Sequence, residues 1–315
     1  MQKKAKIGII GAGAMGRKYL GLCDGMKEVE LVGIYDIAKT SFDITKNYDS
    51  LDTLIKDSDG VVIASSTNSH YEIAKKAILA GKHCLIEKPI STDTAEASEL
   101  VELAKQHKVK IQVGHIERFN PAFQELLKIL KAKKNISVID FSRLSYNVKR
   151  SGDISVVMDL MIHDIDLMLA ILKNSFGDLN IEPTLKASGI VKYNAVNHVN
   201  AALTYGGEVM INLEASRITH ANYREIRVIT DTELIVADLL AKNVNIYRSA
   251  SNDGNSEYRI ERNIDRIFVP QSDALNLQIL NFVNIIVNPD MQPVVSAQEA
   301  IDAVKMAQAI ESCVQ

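Results

Sequence analysis

The sequence predicts two domains: an α/β domain with a doubly wound parallel sheet, then an α+β domain built on a large, mainly antiparallel, open-faced sheet. At 315 residues, the chain is longer than a single hydrophobic core usually is. Apolar strand-like runs alternate with helical patterns through its first third, which is typical of a parallel sheet covered on both faces. Beyond Asn120-Pro121, successive long strand-like runs with turn residues between them favour antiparallel pairing.

Residues 1–118 are predicted to form the first domain. Its strands are expected at 6–10, 30–35, 60–65, 83–87 and 110–115. Helical patterns lie between them, from about Ala14, over 70–81 and over 94–108. The pattern over 70–81 is amphipathic and ends at Gly81, a residue type that commonly follows helix ends. Strands and helices therefore alternate as a doubly wound sheet requires.

Residues 119–315 are predicted to form the second domain, which binds the substrate. A helix at about 122–133, a strand at 136–146 and a long helical run near 155–173 open it. The strand-like stretches that follow are TLKASGIVKY, HVNAALTY, GEVMINLEASRI, YREIRVIT, ELIVADL and NVNIYRS. SNDGNS (251–256) is expected to form a surface turn, and helices at about 273–287 and 296–311 end the chain. A second copy is expected to cover one face of the broad sheet, so a homodimer or homotetramer is predicted.

Composition and charge narrow the classes of partner. Hydrophobic residues make up 47% and charged residues 24% of the chain, as in ordinary globular proteins. The net charge of −3 gives no basic surface for nucleic acid or anionic membranes, so neither partner is expected. No apolar run reaches the roughly 18 residues of a membrane span, and MQKKAKIGII lacks a leader pattern. Three widely spaced cysteines fit no metal site and favour a reducing, cytoplasmic location.

The first strand is followed directly by Gly11-Ala12-Gly13-Ala14-Met15-Gly16. A G-x-G-x-x-G sequence between a strand and a helix predicts a dinucleotide-binding turn. Gly11 allows the tight turn, Gly13 the close approach of a pyrophosphate, and Gly16 the close packing of helix on strand. Ala14 and Met15 begin the helix whose N-terminal N–H groups would bind the phosphates. A glycine-rich turn without a ligand is the alternative.

Asp36 ends the second strand, about 20 residues beyond the glycines. A carboxylate there can accept hydrogen bonds from a ribose diol and would repel a 2′-phosphate. NAD is therefore favoured over NADP as the cofactor, although the nearby Lys39 keeps NADP as an alternative.

The third strand leads into a polar loop at the carboxyl edge of the sheet, where ligands bind in such folds. Candidate cofactor contacts in this loop are Ser65, Thr67, Asn68 and His70. Asn68 or Ser69 could instead serve only to cap the following helix.

The fourth strand ends in two opposite charges, Glu87 and Lys88, followed by Pro89. An ammonium group at this edge can hydrogen-bond a substrate hydroxyl and stabilise negative charge that develops on its oxygen. Lys88 is thus a candidate for catalysis and cofactor contact, and Glu87 for cofactor contact. The alternative is structural, with the two charges paired at the exit of the strand.

An apolar helical run in the second domain carries Asp159, His163 and Asp166 at i, i+4 and i+7. On an α-helix this spacing places all three on one face. Buried polar groups need partners, and a histidine beside carboxylates is a candidate proton-transfer device. A hydrogen-bonded core histidine is the alternative, and a metal site is disfavoured because no second ligand cluster accompanies it.

Three motifs together resemble the Gfo/Idh/MocA family of oxidoreductases: GAGAMG after the first strand, Glu87-Lys88-Pro89, and Asp159-x-x-x-His163-x-x-Asp166. The resemblance covers essentially the whole chain. It implies a Rossmann domain and NAD(P)-dependent hydride transfer at a secondary alcohol carbon, usually of a sugar or cyclitol. It also implies that Lys88 contacts the reacting hydroxyl, that His163 serves as acid or base, and that the Lys88–Pro89 bond is cis.

Further stretches resemble the subgroup of UDP-N-acetylglucosamine 3-dehydrogenases: VGHIERFNP (113–121), HDIDLML, YREIRVI and LIVADLLAKNVNIY. Such enzymes oxidise the sugar 3-hydroxyl to a ketone. Candidate residues for the substrate and its diphosphate are Arg118, Arg143 and Arg150, with Lys149 beside the last. An ordinary solvated basic patch is the alternative.

The resulting hypothesis is an NAD-dependent dehydrogenase acting on the 3-hydroxyl of a UDP-linked N-acetyl amino sugar. His163 removes the hydroxyl proton while Lys88 stabilises the same oxygen. Asp159 orients His163, and Asp166 supports it or holds a neighbouring substrate hydroxyl. The alternatives are a dehydrogenase or reductase of a free sugar, cyclitol or other small carbonyl, and a non-catalytic NAD-sensing regulator of the same fold.

Overall fold

A computed structural model describes residues 4–38, 42–43, 45–131, 133, 135–146, 154–177, 181–249 and 262–314. The chain divides into two compact units. The first unit comprises Met1–Ile116 and Asp273–Val304, and the second comprises Glu117–Ser272 and Lys305–Gln315. The predicted second domain spans 119–315, whereas Asp273–Val304 clusters with the first unit.

The first unit contains a parallel sheet of five strands in the order β2-β1-β3-β4-β5. The strands are β1 (Ala5–Ile10), β2 (Val29–Tyr35), β3 (Gly60–Ile63), β4 (His83–Ile86) and β5 (Ile111–Val113). The chain winds outward in both directions from β1 and β3, which confirms the doubly wound fold. Ligands of such sheets bind at the carboxyl ends of the strands beside this switch point.

Helices cover the first sheet. They are α1 (Ala14–Gly25), α2 (Leu51–Asp57), α3 (His70–Leu79), α4 (Thr94–Gln106) and, from the later segment, α7 (Ala274–Val287). The N-cap of α7 is Asp273, whose side chain accepts a hydrogen bond from the N–H of Asn276, and the helix packs against α1 and β1. Its apolar residues, Ile279 and Phe282 among them, share a core cluster with Ile7 and Ile9 of β1. Burial of this apolar helix explains why the segment belongs to the first unit.

The second unit contains an eight-stranded sheet in the order β13-β12-β11-β10-β6-β9-β8-β7. The strands are β6 (Ile136–Tyr146), β7 (Thr184–Lys192), β8 (Ala195–Tyr205), β9 (Val209–Ser216), β10 (Ile218–Thr230), β11 (Glu233–Asp238), β12 (Asn243–Ser249) and β13 (Arg262–Ile267). Neighbours are antiparallel except for β6 and β9, which confirms the predicted, mainly antiparallel sheet.

The two faces of this sheet differ in polarity. One face buries alternate apolar side chains, such as Phe141 and Leu213, and helix α5 (Pro121–Leu130) packs on β11 and β12. The other face carries polar side chains, including Asp140, Asn212 and Arg227, around a shallow concavity of about 520 Å³. The alternation of faces along each strand is the period-two pattern that the sequence shows.

The predicted helix near 155–173 has two parts. Val157–Met161 form a π-helical turn, called the π turn below, and α6 (Ile162–Phe176) follows it. Helix α8 (Ala297–Cys313) ends the described chain. The predicted turn at 251–256 lies outside the described residues. Among the described helices, none has the length and apolar character needed to cross a membrane.

Candidate functional site

The glycine turn joins β1 to α1 in a conformation that two of its glycines require. Gly11 has a φ of +98°, and a Cβ there would lie 2.6 Å from the carbonyl oxygen of Ala64. A Cβ on Gly16 would lie 1.9 Å from the carbonyl oxygen of Gly11. Backbone conformation and close packing therefore account for these two positions.

Gly13 is different, because packing does not require a glycine there. Its φ of −68° suits any residue, and a Cβ would meet no heavy atom of the described chain within 4 Å. Gly13 is also the N-cap of α1, and within the described residues no side chain caps that helix start. The first turn of α1 thus offers N–H groups and a positive dipole end to a ligand that fills the open space beside Gly13.

Asp36 links the end of β2 to this turn. Its Oδ2 accepts a hydrogen bond from the N–H of Ala12 at 2.6 Å, and its Oδ1 accepts one from Ala38 at 2.7 Å. The carboxylate therefore lies at the carboxyl edge of the sheet beside the glycine turn. Lys39, which kept NADP as an alternative, lies outside the described residues.

The loop after β3 holds its shape through internal hydrogen bonds. The hydroxyls of Ser65 and Ser69 lie 2.7 Å apart, and Ser69 also donates to the carbonyl of Ser66 at 2.8 Å. Thr67 and Asn68 belong to a short 3-10 turn, Thr67–Ser69, and are not buried. Their side chains are accessible for the predicted cofactor contact.

His70, another predicted cofactor contact, is buried. Its side chain is 1% exposed, with Nδ1 2.9 Å from the carbonyl oxygen of Pro89 and Nε2 3.2 Å from that of Ser65. Burial lowers the pKa of His70, although both carbonyl contacts oppose the shift. The ring therefore joins the loop after β3 to the chain beside Lys88 and is directed away from solvent.

Glu87 is hydrogen-bonded inside the first unit. It accepts a hydrogen bond at 2.6 Å from the hydroxyl of Tyr19 in α1, and Tyr19 accepts one at 2.8 Å from Nε2 of Gln278 in α7. Burial raises the pKa of Glu87, and the contacts with Tyr19 and Lys88 only partly oppose this. Lys88 is half-buried, and the Lys88–Pro89 peptide bond is cis, as the family resemblance implied. The carboxylate of Glu87 is thus held by α1 and also accepts a hydrogen bond from the backbone N–H of Lys88 at 3.3 Å.

The predicted acid–base residues of the second unit lie on the π turn and the start of α6. Asp159 is within the π turn, and His163 and Asp166 are in the first turns of α6. Asp159 therefore lies in a π turn, whereas the predicted spacing assumes one continuous α-helix for all three residues. Such turns are frequent at functional sites. His163 is half-buried and Asp166 is buried.

Buried ion pairs explain several residues that were predicted to bind substrate. Arg143 is 3% exposed and donates to both carboxylate oxygens of Asp164, at 2.9 and 2.7 Å, and to Glu117 at 2.9 Å. Burial alone would lower the pKa of Arg143, but Asp164 and Glu117 raise it above its ordinary value. Arg118 lies 3.3 Å from Asp166 in another buried pair. These arginines are therefore engaged inside the fold, whereas Lys149 and Arg150 lie outside the described residues.

Sequence reasoning missed several residues around these groups: Tyr19, Gln278, Glu117, Asp164 and Arg217. Each is a buried polar residue that contacts a candidate residue or, for Gln278, contacts Tyr19. Arg217 is an instance, because its Nη1 lies 3.4 Å from Oδ2 of Asp159. The available signal was a polar residue inside an apolar run, as in LNLQILNF and LEASRI, since such a residue needs a partner when buried.

A doubly wound sheet with this glycine turn, Asp36 at the edge and a lysine after β4 defines a Rossmann-type oxidoreductase. The model of the oxidoreductase family with an NAD-binding Rossmann fold, Gfo/Idh/MocA, matches residues 5–115. UDP-N-acetylglucosamine 3-dehydrogenase of Acidithiobacillus ferrooxidans is 30% identical over 295 residues, which is 89% of this chain and 88% of that protein. The chain therefore belongs to the Gfo/Idh/MocA family.

Two further comparisons extend this assignment. A solved structure of UDP-N-acetylglucosamine 3-dehydrogenase from Acidithiobacillus ferrooxidans matches with a TM-score of 0.87 and 27% identity, covering 99% of this chain and 97% of that one. Glucose-6-phosphate 3-dehydrogenase of Bacillus subtilis is 37% identical over 133 residues, or 40% of this chain and 37% of that protein. The first match spans both units of the fold.

Proposed function

We propose that this protein is an NAD-dependent dehydrogenase that oxidises the 3-hydroxyl of a UDP-linked N-acetyl amino sugar to the 3-keto sugar. The observation that carries the proposal is the 30% identity to UDP-N-acetylglucosamine 3-dehydrogenase over 89% of the chain. A relative that matches only part of the chain, glucose-6-phosphate 3-dehydrogenase, is also named for oxidation at position 3 of a sugar. Both names support the same reaction type and ring position.

The residues of the first unit fit a dinucleotide. The open space at Gly13 and the uncapped start of α1 suit a pyrophosphate, whose charge the helix dipole stabilises. Asp36 has further lone pairs that can accept hydrogen bonds from a ribose diol, and its negative charge disfavours a 2′-phosphate. The carboxylate of Asp36 therefore supports NAD rather than NADP. When bound, NAD supplies the acceptor for the hydride.

The proposed proton chemistry depends on His163 and Lys88. His163 takes the proton of the reacting hydroxyl as general base, and the ammonium group of Lys88 stabilises the negative charge on that oxygen. Asp159 holds the imidazole of His163 in the tautomer that accepts the proton. Asp166 has no direct part in the proposal, because it pairs with Arg118 inside the second unit.

The test is an activity panel with purified protein. UDP-N-acetylglucosamine, glucose 6-phosphate and myo-inositol are each incubated with NAD⁺ or NADP⁺ while NADH or NADPH absorbance is followed. We expect turnover of UDP-N-acetylglucosamine with NAD⁺, and competitive inhibition by UDP. Turnover of an unlinked sugar or of inositol, with no effect of UDP, would refute the nucleotide-sugar substrate.

The sugar-phosphate alternative has one observation in its favour. The partial match to glucose-6-phosphate 3-dehydrogenase has the higher identity, 37%, although it covers only 40% of this chain. A phosphorylated sugar and a UDP-sugar both present an anionic group. Inhibition by UDP distinguishes the two substrates. An enzyme for glucose 6-phosphate has no need of a site that recognises uridine, so UDP should not compete with its substrate.

We further propose that two copies associate through the polar face of the second sheet. This face carries carboxylates, such as Asp140 and Glu214, together with basic side chains, such as Lys186 and Arg227. Mixed charge on one face can complement itself across a two-fold axis. Light scattering after size exclusion should give at least twice the chain mass of 34.8 kDa, and a monomer at micromolar concentration would refute this association.

A further inference from the structure

One fully buried guanidinium lies beside the candidate acid–base residues. Arg217 follows β9 at the junction with β10, and it is 1% exposed. Its backbone N–H donates to the carbonyl of Asn197 at 2.9 Å, so the junction is joined to β8. A charge this deeply buried needs specific acceptors, because removing it from water costs several kcal/mol.

The acceptors of Arg217 come from two places in the second unit. On the strand side, Nε donates to Oδ1 of Asn197 at 2.9 Å, and Nη2 lies 3.3 Å from the carbonyl oxygen of Val196. On the helix side, Nη2 donates to the carbonyl of Ile154 at 2.7 Å, and Nη1 lies 3.4 Å from Oδ2 of Asp159. The planar guanidinium thus joins β8 to the segment that carries Asp159.

The two helix-side contacts lie on either side of the start of the π turn. Ile154 precedes the turn, and Asp159 is in its middle. Ser155, between them, accepts a hydrogen bond from the N–H of Met158 at 3.3 Å and donates to the carboxylate of Glu311. Glu311 therefore holds the start of the π turn through Ser155, and Arg217 contacts the middle of the turn through Asp159.

We propose that Arg217 is a positioning residue for Asp159 and His163. It acts through its contact with Asp159 and through its hydrogen bond to Ile154, just before the π turn. The proposal rests on the proposed function, in which Asp159 orients His163. Arg217 contacts both the carboxylate of Asp159 and the carbonyl of Ile154. It therefore fixes the orientation of Asp159 relative to His163 in the following helical turn. Arg217 does not itself contact the reacting atoms.

The residue type supports positioning over simple stabilisation. Buried ion pairs contribute little net stability compared with apolar residues of similar size, so stability alone does not require an arginine here. A lysine would supply a single charged nitrogen, whereas Arg217 uses two different nitrogens for Asn197 and Asp159. The fixed fork of arginine supplies both nitrogens.

A double-mutant cycle tests the coupling. The variants are Asp159→Asn, Arg217→Met and the double substitution, with kcat and KM measured on the sugar that the wild-type protein oxidises. We expect each single substitution to lower kcat by about 10²-fold, within the range for general acid–base groups. The double variant should lose about the same amount as the worse single variant, because the two residues act as one unit. KM should change by less than about threefold, since Arg217 does not contact the substrate.

Arg248→Met is the matched control. Arg248 lies on β12 of the second sheet. It pairs with two carboxylates, Glu233 and Asp265. We expect its kcat to stay within about twofold of wild type. A double variant whose loss equals the product of the single losses, or an Arg217→Met enzyme with wild-type kcat, overturns the proposal.

A second measurement does not depend on the substrate. Hydrogen exchange of the peptide covering 154–161 is compared between Arg217→Lys and Arg248→Lys, which also covers the case that Arg217→Met does not fold. We expect exchange in this peptide to be at least about tenfold faster in Arg217→Lys only. Unchanged exchange there overturns the positioning role. If the wild-type protein oxidises no sugar but this exchange difference appears, the proposed function fails while the structural coupling stands.

Discussion

Replacing Gly13 by alanine separates cofactor binding from folding. A Cβ at this position meets no described heavy atom within 4 Å, and its φ of −68° suits alanine. Alanine is a poorer N-cap than glycine but also restricts the unfolded chain, and these opposing effects leave the free energy of unfolding within about 1 kcal/mol of wild type. A methyl group would, however, occupy the space that a pyrophosphate needs. We expect the affinity for NADH to fall at least about tenfold, or about 1.4 kcal/mol.

Gly16→Ala provides the contrasting variant. Its Cβ would lie 1.9 Å from the carbonyl oxygen of Gly11, a backbone atom that cannot rotate away. We expect destabilisation of about 1–3 kcal/mol or more, the usual cost of overpacking. Urea unfolding and titration of NADH fluorescence measure the two effects on both variants. A Gly13→Ala protein that binds NADH within about twofold of wild type would refute the assignment of the open space to the cofactor.

The remaining predictions concern charged groups. His163→Ala and Lys88→Ala should each lower kcat by about 10²–10⁴-fold while the dissociation constant of NADH stays unchanged, and near-normal kcat in either variant would contradict its role. Arg143→Met should lower the free energy of unfolding by about 3–5 kcal/mol, because it leaves buried carboxylates without their cation; a loss below about 1 kcal/mol would contradict this. Burial opposes ionisation of Glu117, but two arginines outweigh it and lower its pKa below 4.5. The ionised Glu117 therefore stabilises the folded protein above about pH 4.5, and this stabilisation is lost as the pH falls through the lowered pKa. Glu117→Gln should flatten this part of the profile of urea midpoint against pH.

Local patterns in the sequence were sufficient for most of the fold. Alternating strand and helix patterns gave the five parallel strands in the right places, and period-two alternation gave the antiparallel sheet. They could not place α7, because its apolar residues indicate burial but not which sheet buries them. Its packing on β1 joins residues more than 250 positions apart, such as Ile7 and Phe282. No pattern within the segment itself carries that information.

The site was predictable where function depends on local sequence and obscure where it depends on distant partners. The glycine turn and Asp36 lie where the motif predicts. Arg143 is predicted to face the substrate because it precedes the catalytic helix, whereas its partner Asp164, 21 residues away, lies outside the pattern of Asp159, His163 and Asp166. The π turn has no sequence signature, and Arg217 reaches Asp159 across 58 residues. Long-range pairing decides whether a charged side chain is a structural group or a binding group.

The transfer of the hydrogen from C3 of the sugar to the nicotinamide is the most direct test of the proposed reaction. UDP-N-acetylglucosamine deuterated at C3 is incubated with the protein and NAD⁺, and the nicotinamide product is examined by mass spectrometry. The proposed function predicts that the reduced cofactor carries the deuterium and that the sugar becomes a 3-ketone. Reduced cofactor without deuterium, or an unaltered sugar beside active turnover of another substrate, would contradict it.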